Sequence, residues 1–569
     1  MYIRVTSTKN SPRKSVKIVE SIREGFKVKQ KILVHIGIAS NEGEIEKLKC
    51  IGMEFIAQEM ARREKNSSQR SLFDDLPPEK HLEIIKQKMG AKKRGRKPAV
   101  KLQDVTAEDQ ISLADLVEEK RVTEGFHDIA GHVYGQMGYE TLLKRKKDNE
   151  ILKDLVLMRL AEPCSKLKTQ EILGKNFSKT HDLDVIYRVM DKLFPTISEM
   201  KKRTFERTKK ITPETIDILF FDCTTLYFES VETDELRKFG YSKDHRFNTT
   251  QVVLALATNR DGLPIGYELF EGNKAEVKTL LVCLDEWKKL FNIQSVCFVA
   301  DRAMMSDDNL KILEEQNHHY VIAAKLRSLP TALTSEILSE KNYRREQIND
   351  SFGWISEFNY KERRLIVSYK TERARRDAHQ REQIIEKLKK RIGEKGDTKK
   401  LITNQGVKKY TRTEDSQTVL DQDKINQDGA WDGLHGIITN RPDSPASELL
   451  ARYAQLWKIE ESFRINKHTL SMRPIYHFKS ERIKAHIALC FMAFSVARHM
   501  EYQVKLTQKM SLNTMMDELM HVQASFYRHL PTGKLYRMPG KFSKTASKIY
   551  KAFQIQRRNH AQIVIEHSH

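Results

Sequence analysis

Three carboxylates occupy positions where folding alone gives them little reason to be. Asp222 interrupts "ILFFDCTTLYFE" (218–229), a β-prone run whose apolar pattern resumes at Leu226, Tyr227 and Phe228. Burying a carboxylate in such a run is costly unless it is paired or binds a metal. Asp301 closes "CFVAD", at the carboxyl end of a predicted strand, where open α/β sheets place their ligands. Two carboxylates that converge at one sheet edge repel unless a cation lies between them, and hard oxygen donors suit Mg²⁺ or Mn²⁺. A third ligand is expected from a helix packed on the sheet. In "YAQLWKIEESFRINK" (453–467), a helical period puts Tyr453, Leu456, Phe463 and Lys467 on one stripe with Leu449. Glu460 lies near the centre of that stripe and Glu461 at its edge. The plain alternative is a structural salt bridge among Glu460, Arg464 and Lys467; their alignment with Tyr453 favours a site.

The elements that must hold these residues begin near 211. A buried strand through Asp222 is followed by two strands in "TQVVLALATNRDGLPIGYELFEG", joined by the turn "NRDG". A helix (276–291), a strand (295–301), a helix (307–316) and a strand (320–325) come next. Three antiparallel strands and then helix–strand–helix–strand make an α/β order, that of an RNase H-like mixed-sheet core. The core is expected over 211–326 and 433–500, the second part opening with the strand "GLHGIITN". Between them, 327–432 reads as an insertion, because an interval of that length cannot be a structureless loop. It offers the strand-like "ISEFNY" and "RLIVSYK" and a charged helix at about 372–395. Residues 1–90 read as a small β-meander followed by helices at 43–62 and 80–90. Residues 105–210 read as a helical, DNA-binding region and 501–569 as a C-terminal helical region.

The chain has 569 residues, with 100 Lys and Arg against 77 Asp and Glu, a net charge of +23. An excess of that size suits a polyanion, and nucleic acid is the usual one. A dense basic run lies in the segment 91–104, around "KKRGRKPAVK". Arg94 and Arg96 flank a glycine there, as in an AT-hook lying flat in a narrow minor groove; a solvated basic linker is the alternative. The 6 cysteines include no C-x-x-C pair, which argues against a structural zinc site or a disulfide framework. The N-terminus lacks the apolar segment of a signal peptide, and the most apolar run, 485–497, is too short to span a bilayer. A soluble, cytoplasmic chain is expected.

With these residues in place, the helix around Glu460 resembles the signature of bacterial insertion-sequence DDE transposases, Tyr–x₂–Arg–x₃–Glu–x₆–Lys. Tyr453, Glu460 and Lys467 match its spacing; the Arg position is Leu456, with Arg464 and Lys458 the nearby cations that could serve it. "FFDCTTLYFE" resembles the family's first-Asp block, "GLPIGYELFEGNKAEVKTL" with "FVADR" the second, and 473–494 the helical segment after the Glu. The likeness covers about 210–500. It implies that Asp222, Asp301 and Glu460 are a catalytic triad holding two Mg²⁺ or Mn²⁺ ions, with Tyr453, Lys467 and Arg464 on the DNA backbone. It further implies cleavage at terminal inverted repeats, joining to target DNA, and a homodimer in a synaptic complex within the bacterial nucleoid. The alternatives are a hydrolytic nuclease without strand transfer and a DNA-binding transposase relic.

Overall fold

The computed structural model describes residues 2–7, 14–24, 27–39, 45, 49, 53, 101–104, 111–212, 218–229, 232–240, 248–274, 279–291, 297–301, 306–348, 351–393, 409–414 and 417–565. The chain forms two compact units, Met1–Ala99 and Val100–His569. In the first, β1 (Tyr2–Ser7), β2 (Lys14–Glu24) and β3 (Lys27–Ala39) form the expected antiparallel meander. Val16 and Ile18, two residues apart on β2, are buried together, as the two-residue strand period requires. Of the helix expected at 43–62, only residues 45, 49 and 53 are described, and they are helical. The helix expected at 80–90, and Arg94 and Arg96, lie outside the described residues.

The second unit opens with β4 (Lys101–Asp104) and β5 (Leu116–Thr123). A layer of five helices follows: α1 (Gly125–Gln136), α2 (Lys146–Ala161), α3 (Lys166–Phe177), α4 (Leu183–Leu193) and α5 (Ile197–Ile211). The helical reading of 105–210 therefore holds from Gly125 onward but misses β5. That strand shows solvent a run of charge, "EEKR", and reads from sequence as a solvated face. Its partner is β17 (Gln523–His529), some four hundred residues away, where Arg121 sits opposite Ser525.

The central sheet has nine strands. One half of it comprises β6 (Ile218–Tyr227), β7 (Gln251–Thr258), β8 (Pro264–Glu271), β9 (Cys297–Ala300) and β10 (His319–Ala323). They lie in the order β8-β7-β6-β9-β10, the first three antiparallel and β6, β9 and β10 parallel. This is the RNase H-like arrangement expected from the order of elements. Helix α6 (Thr279–Phe291) lies between β8 and β9 in the chain and α7 (Asp307–Glu315) between β9 and β10, and both pack on one face through Trp287, Leu284 and Leu313.

The interval after β10 does not make a sheet of its own for its longer strands. It begins with a short helix, α8 (Thr331–Ile337). Its strands β11 (Arg344–Ile348), β12 (Ser351–Tyr360) and β13 (Arg363–Tyr369) continue the central sheet, joined to β10 through the later strand β16. The charged helix is α9 (Thr371–Gly393); it packs with the hairpin β14 (Thr411–Glu414)–β15 (Gln417–Leu420) and with α10 (Gln422–Gly429) around Leu388, Tyr410 and Ile425. The chain returns to the sheet in β16 (Leu434–Thr439).

The other face of the sheet is covered by α11 (Ala446–Tyr453), α12 (Trp457–Arg464) and α13 (Ser480–Lys505). α13 is buried nearly all round from Ile483 to Glu501, because the sheet lies against one side and the helices α1, α2 and α4 against the other. Among the described residues no helix is long and apolar enough to cross a membrane. The C-terminal part contains α14 (Leu512–Met520) and α15 (Lys544–Ala552), but also β17, β18 (Leu535–Pro539) and β19 (Gln562–Ile565). With β4 and β5 these build a five-stranded antiparallel sheet, so the purely helical reading of 501–569 is corrected. The strands are short and their partners distant, and local pattern carries neither fact.

Candidate active site

Asp222 owes its position to the alternation of β6. Phe220 and Leu226 point into the core under α12 and α13, while Leu219, Phe221 and Cys223 point to the opposite face with α6. Asp222 shares the parity of Phe220 and so lies on the α12 side, half-buried. Its Oδ1 accepts the backbone N–H of Cys223 at 2.7 Å. The parallel ladder between β6 and β9 ends at Phe220 opposite Val299. Two residues farther along each strand stand Asp222 and Asp301, level with each other on strands about 4.8 Å apart. Val299 faces the same core as Phe220, and Asp301, exposed, follows it at the open end of β9. The sheet-edge pair read from the sequence is thus placed by register.

Glu460 is carried to this face by α12, which packs on β6 and β7 through Ile459 and Phe463. The expected stripe is shifted. The buried residues are Leu449, Leu450, Leu456, Ile459, Ser462, Phe463, Ile465 and Asn466, and Glu460 is exposed on their flank. The physical reason is that the helix is not uniform. A 3₁₀ turn at Ala454–Leu456 and a π-helical turn at Ile465–Thr469 depart from 100° per residue on either side of α12. Glu461, expected at the rim, is half-buried: its carboxylate lies 3.6 Å from Arg498 of α13 and 3.5 Å from Arg464. Arg464 is otherwise turned to solvent, and Lys467 is half-buried within the π-helical turn.

Tyr453, at the end of α11, meets a residue that the sequence reading passed over. The ring of His435, on β16, lies 4.9 Å from that of Tyr453. Burial, and next the charge of Arg373, hold His435 down to about 4, with Asp301 pulling the other way, so the imidazole is neutral at physiological pH. Gly433, at φ +81°, turns the chain into β16, and its N–H donates to Asp377 of α9 at 3.1 Å. The criterion that singled out Asp222, a polar group set in a β-prone run, applies equally to the histidine in "GLHGIIT". Asp301, His435 and Tyr453 line a cavity of about 870 Å³ together with Arg373, Asp377 and Arg381 of α9.

The donor chemistry suits a hard divalent cation: carboxylate oxygens from the middle of β6, from the end of the adjacent β9 and from the helix packed on the same face. Among the described residues, no three His, Cys, Asp or Glu are gathered at metal-ligating spacing. Asp222 and Asp301 are aligned by register, while Glu460 is exposed on the flank of α12.

Two family models match this chain. Residues 213–496, from just before β6 into α13, match the transposase DDE domain. Residues 3–69 match the N-terminal domain of the IS1634 family transposases. No curated protein matches the chain.

Proposed function

The chain belongs to the DDE transposases of insertion sequences, nucleotidyl-transfer enzymes, and from that premise we propose that Asp222, Asp301 and Glu460 are its catalytic carboxylates. The observation that carries the reading is the β6–β9 register, which sets Asp222 level with Asp301 on the face that α12 covers. The three carboxylates would hold two Mg²⁺ or Mn²⁺ ions, which when bound neutralise charge at the scissile phosphate and activate a water or a 3′-hydroxyl. Tyr453 and Lys467, at seven-residue intervals from Glu460, align the DNA backbone by donating to phosphate oxygens, as in the Tyr–x₂–Arg–x₃–Glu–x₆–Lys branch. Arg464 supplies the cation that Leu456 does not. His435 packs against the Tyr453 ring and, being neutral, adds no charge that would compete for Asp301.

The reaction on this reading is cleavage at the terminal inverted repeats followed by strand transfer into target DNA. A homodimer pairs the two ends, and Arg94 and Arg96 add a minor-groove contact. The test is cleavage and joining of inverted-repeat duplexes in Mg²⁺. Asp222→Asn and Asp301→Asn are each expected to abolish both steps and to keep end binding within a few-fold, since affinity for phosphates comes from Lys and Arg. Near wild-type cleavage by either variant would overturn the assignment. Cleavage by the wild type without joining would make it a hydrolytic nuclease.

A further inference from the structure

Nothing in the three carboxylates calls for the charged helix α9, yet one side of it shares a cavity with Asp301. Arg373, Asp377, Gln380, Arg381 and Ile384 all line the space of about 870 Å³ that Asp301, His435 and Tyr453 also line. At about 3.6 residues per turn, these five fall within an arc of about 100°, so a single stripe of the helix makes that wall. The start of the helix is seated on the chain entering β16. The Lys370 N–H, just before α9, donates to the Gly433 carbonyl at 3.1 Å, and the Gly433 N–H donates to Asp377 at 3.1 Å. A Cβ on Gly433 would lie 2.8 Å from that of Ala374 and 2.7 Å from the Tyr369 ring, closer than a side chain can come. Arg373 is thus held beside the strand that carries His435 into the cavity.

Of the cations that line this cavity, three are committed to carboxylates: Arg381 to Asp432 at 2.5 Å, Arg327 to Asp428 at 2.8 Å, and Lys409 to the same Asp428. The other two, Arg373 and Lys325, are not. Arg373 makes no hydrogen bond among the described residues, and its side chain is 44% exposed. Its one ion pair there, to Asp377, is 3.7 Å long, and that carboxylate already accepts from Gly433. Lys325, two residues past β10, is exposed, and its ammonium has neither a hydrogen bond nor an ion pair among the described residues. Asp301 is exposed as well, so solvent reaches the cavity from the carboxylate side and from the cationic side. We propose that Arg373 and Lys325 are substrate contacts of this site, each taking a backbone phosphate of the DNA strand that runs past Asp301. Arg373, with a planar fork of donors, holds two oxygens of one phosphate, and Lys325 acts as a point charge. Such contacts fix where a strand lies without reading its sequence. The identity of the strand rests on the transposase reading; the two uncommitted cations do not.

The test compares the full-length wild type with Arg373→Gln, Lys325→Met, Arg373→Lys and the control Arg375→Gln. Arg375 carries the same charge, is exposed, and lies about 200° round α9 from Arg373, away from the cavity. Binding of inverted-repeat duplex is measured against salt in the presence of a chelator, so no cleavage is needed. Arg373→Gln and Lys325→Met are each expected to weaken binding and to lower the log–log salt slope by about 1. Arg373→Lys and Arg375→Gln should keep the wild-type slope. Single-turnover cleavage in Mg²⁺ at saturating DNA then reads positioning. Arg373→Gln should be slower by about tenfold or more, Arg373→Lys intermediate, and Arg375→Gln unchanged. Every variant should melt with wild type, since the three side chains are exposed. An unchanged slope for Arg373→Gln or for Lys325→Met overturns that residue's contact. An equal loss in Arg375→Gln, or losses that follow a lowered Tm, would overturn both. Duplex binding by a wild type that never cleaves would overturn the transposase reading instead, and the slopes would still decide the two contacts.

Discussion

Glu460 and Glu461 are adjacent and chemically identical, yet α12 presents them to different surroundings. Glu460 is exposed on the flank of the face that packs on β6, together with Tyr453 and Lys467 at seven-residue intervals. Glu461 points to the other flank, where the buried Arg498 lies 3.6 Å away. Arg498 also pairs with Glu501 at 2.5 Å and donates from Nε to the Gly262 carbonyl at 3.0 Å, in the turn between β7 and β8. One flank of the helix is open to solvent. The other is clamped to α13 and to the sheet. On the proposed reading the two glutamates divide two tasks: Glu461 helps to seat α12, and Glu460 is left to hold metal.

The largest effect expected from this division falls on Glu460. Glu460→Gln keeps size and hydrogen bonding but removes the charge proposed to hold a metal, so cleavage in Mg²⁺ should fall by about 10²-fold or more, as for loss of one electrostatic catalytic group. The thermal melt should not move, because the side chain is exposed. Single-turnover cleavage beside a melting curve measures both. An active Glu460→Gln enzyme would remove the open flank from the chemistry.

Next comes Arg498→Met, a prediction about stability. The substitution leaves Glu501 and Glu461 without their shared cation in a largely buried setting, and breaking such a pair costs about 3–5 kcal/mol. The loss should be read as a lowered denaturation midpoint at neutral pH. Reduced activity should follow from instability and recover at lower temperature. A variant as stable as wild type would show that the clamp contributes nothing to seating α12.

How far the chain could be read from its sequence depends on the range of the interactions involved. Asp222 and Asp301 stood out locally, one inside a β-prone run and one closing a strand; that their strands are neighbours was a condition of that reading, which the β6–β9 ladder supplies. The position of Glu460 relative to the buried face was not legible. Its helical phase is altered by the 3₁₀ turn before α12 and the π-helical turn after it, and a uniform 100° step contains neither. The union of β11–β13 with the catalytic sheet and the pairing of β5 with β17 depend on contacts between distant segments, which no window of sequence reports. His435 was within reach of local reasoning, but its meaning comes from Tyr453 and Asp301, brought beside it by the fold.

The smallest expected effect sharpens the comparison most, because it concerns the residue next to the proposed catalytic one. Glu461→Gln removes a charge from the clamp while leaving an amide oxygen that can still accept from Arg498. The arginine retains its closer partner, Glu501, and its bond to the Gly262 carbonyl. Glu461 is itself partly open to solvent, and partly exposed pairs contribute about 0–1 kcal/mol. The variant should therefore melt close to wild type and cleave inverted-repeat DNA within a few-fold of its rate. Measured beside Glu460→Gln under the same conditions, it should differ from that variant by orders of magnitude in rate and hardly at all in Tm. If Glu461→Gln is the inactive one and Glu460→Gln cleaves normally, the flanks of α12 have exchanged roles and the catalytic carboxylate must be reassigned to Glu461, drawn from its arginine when DNA binds.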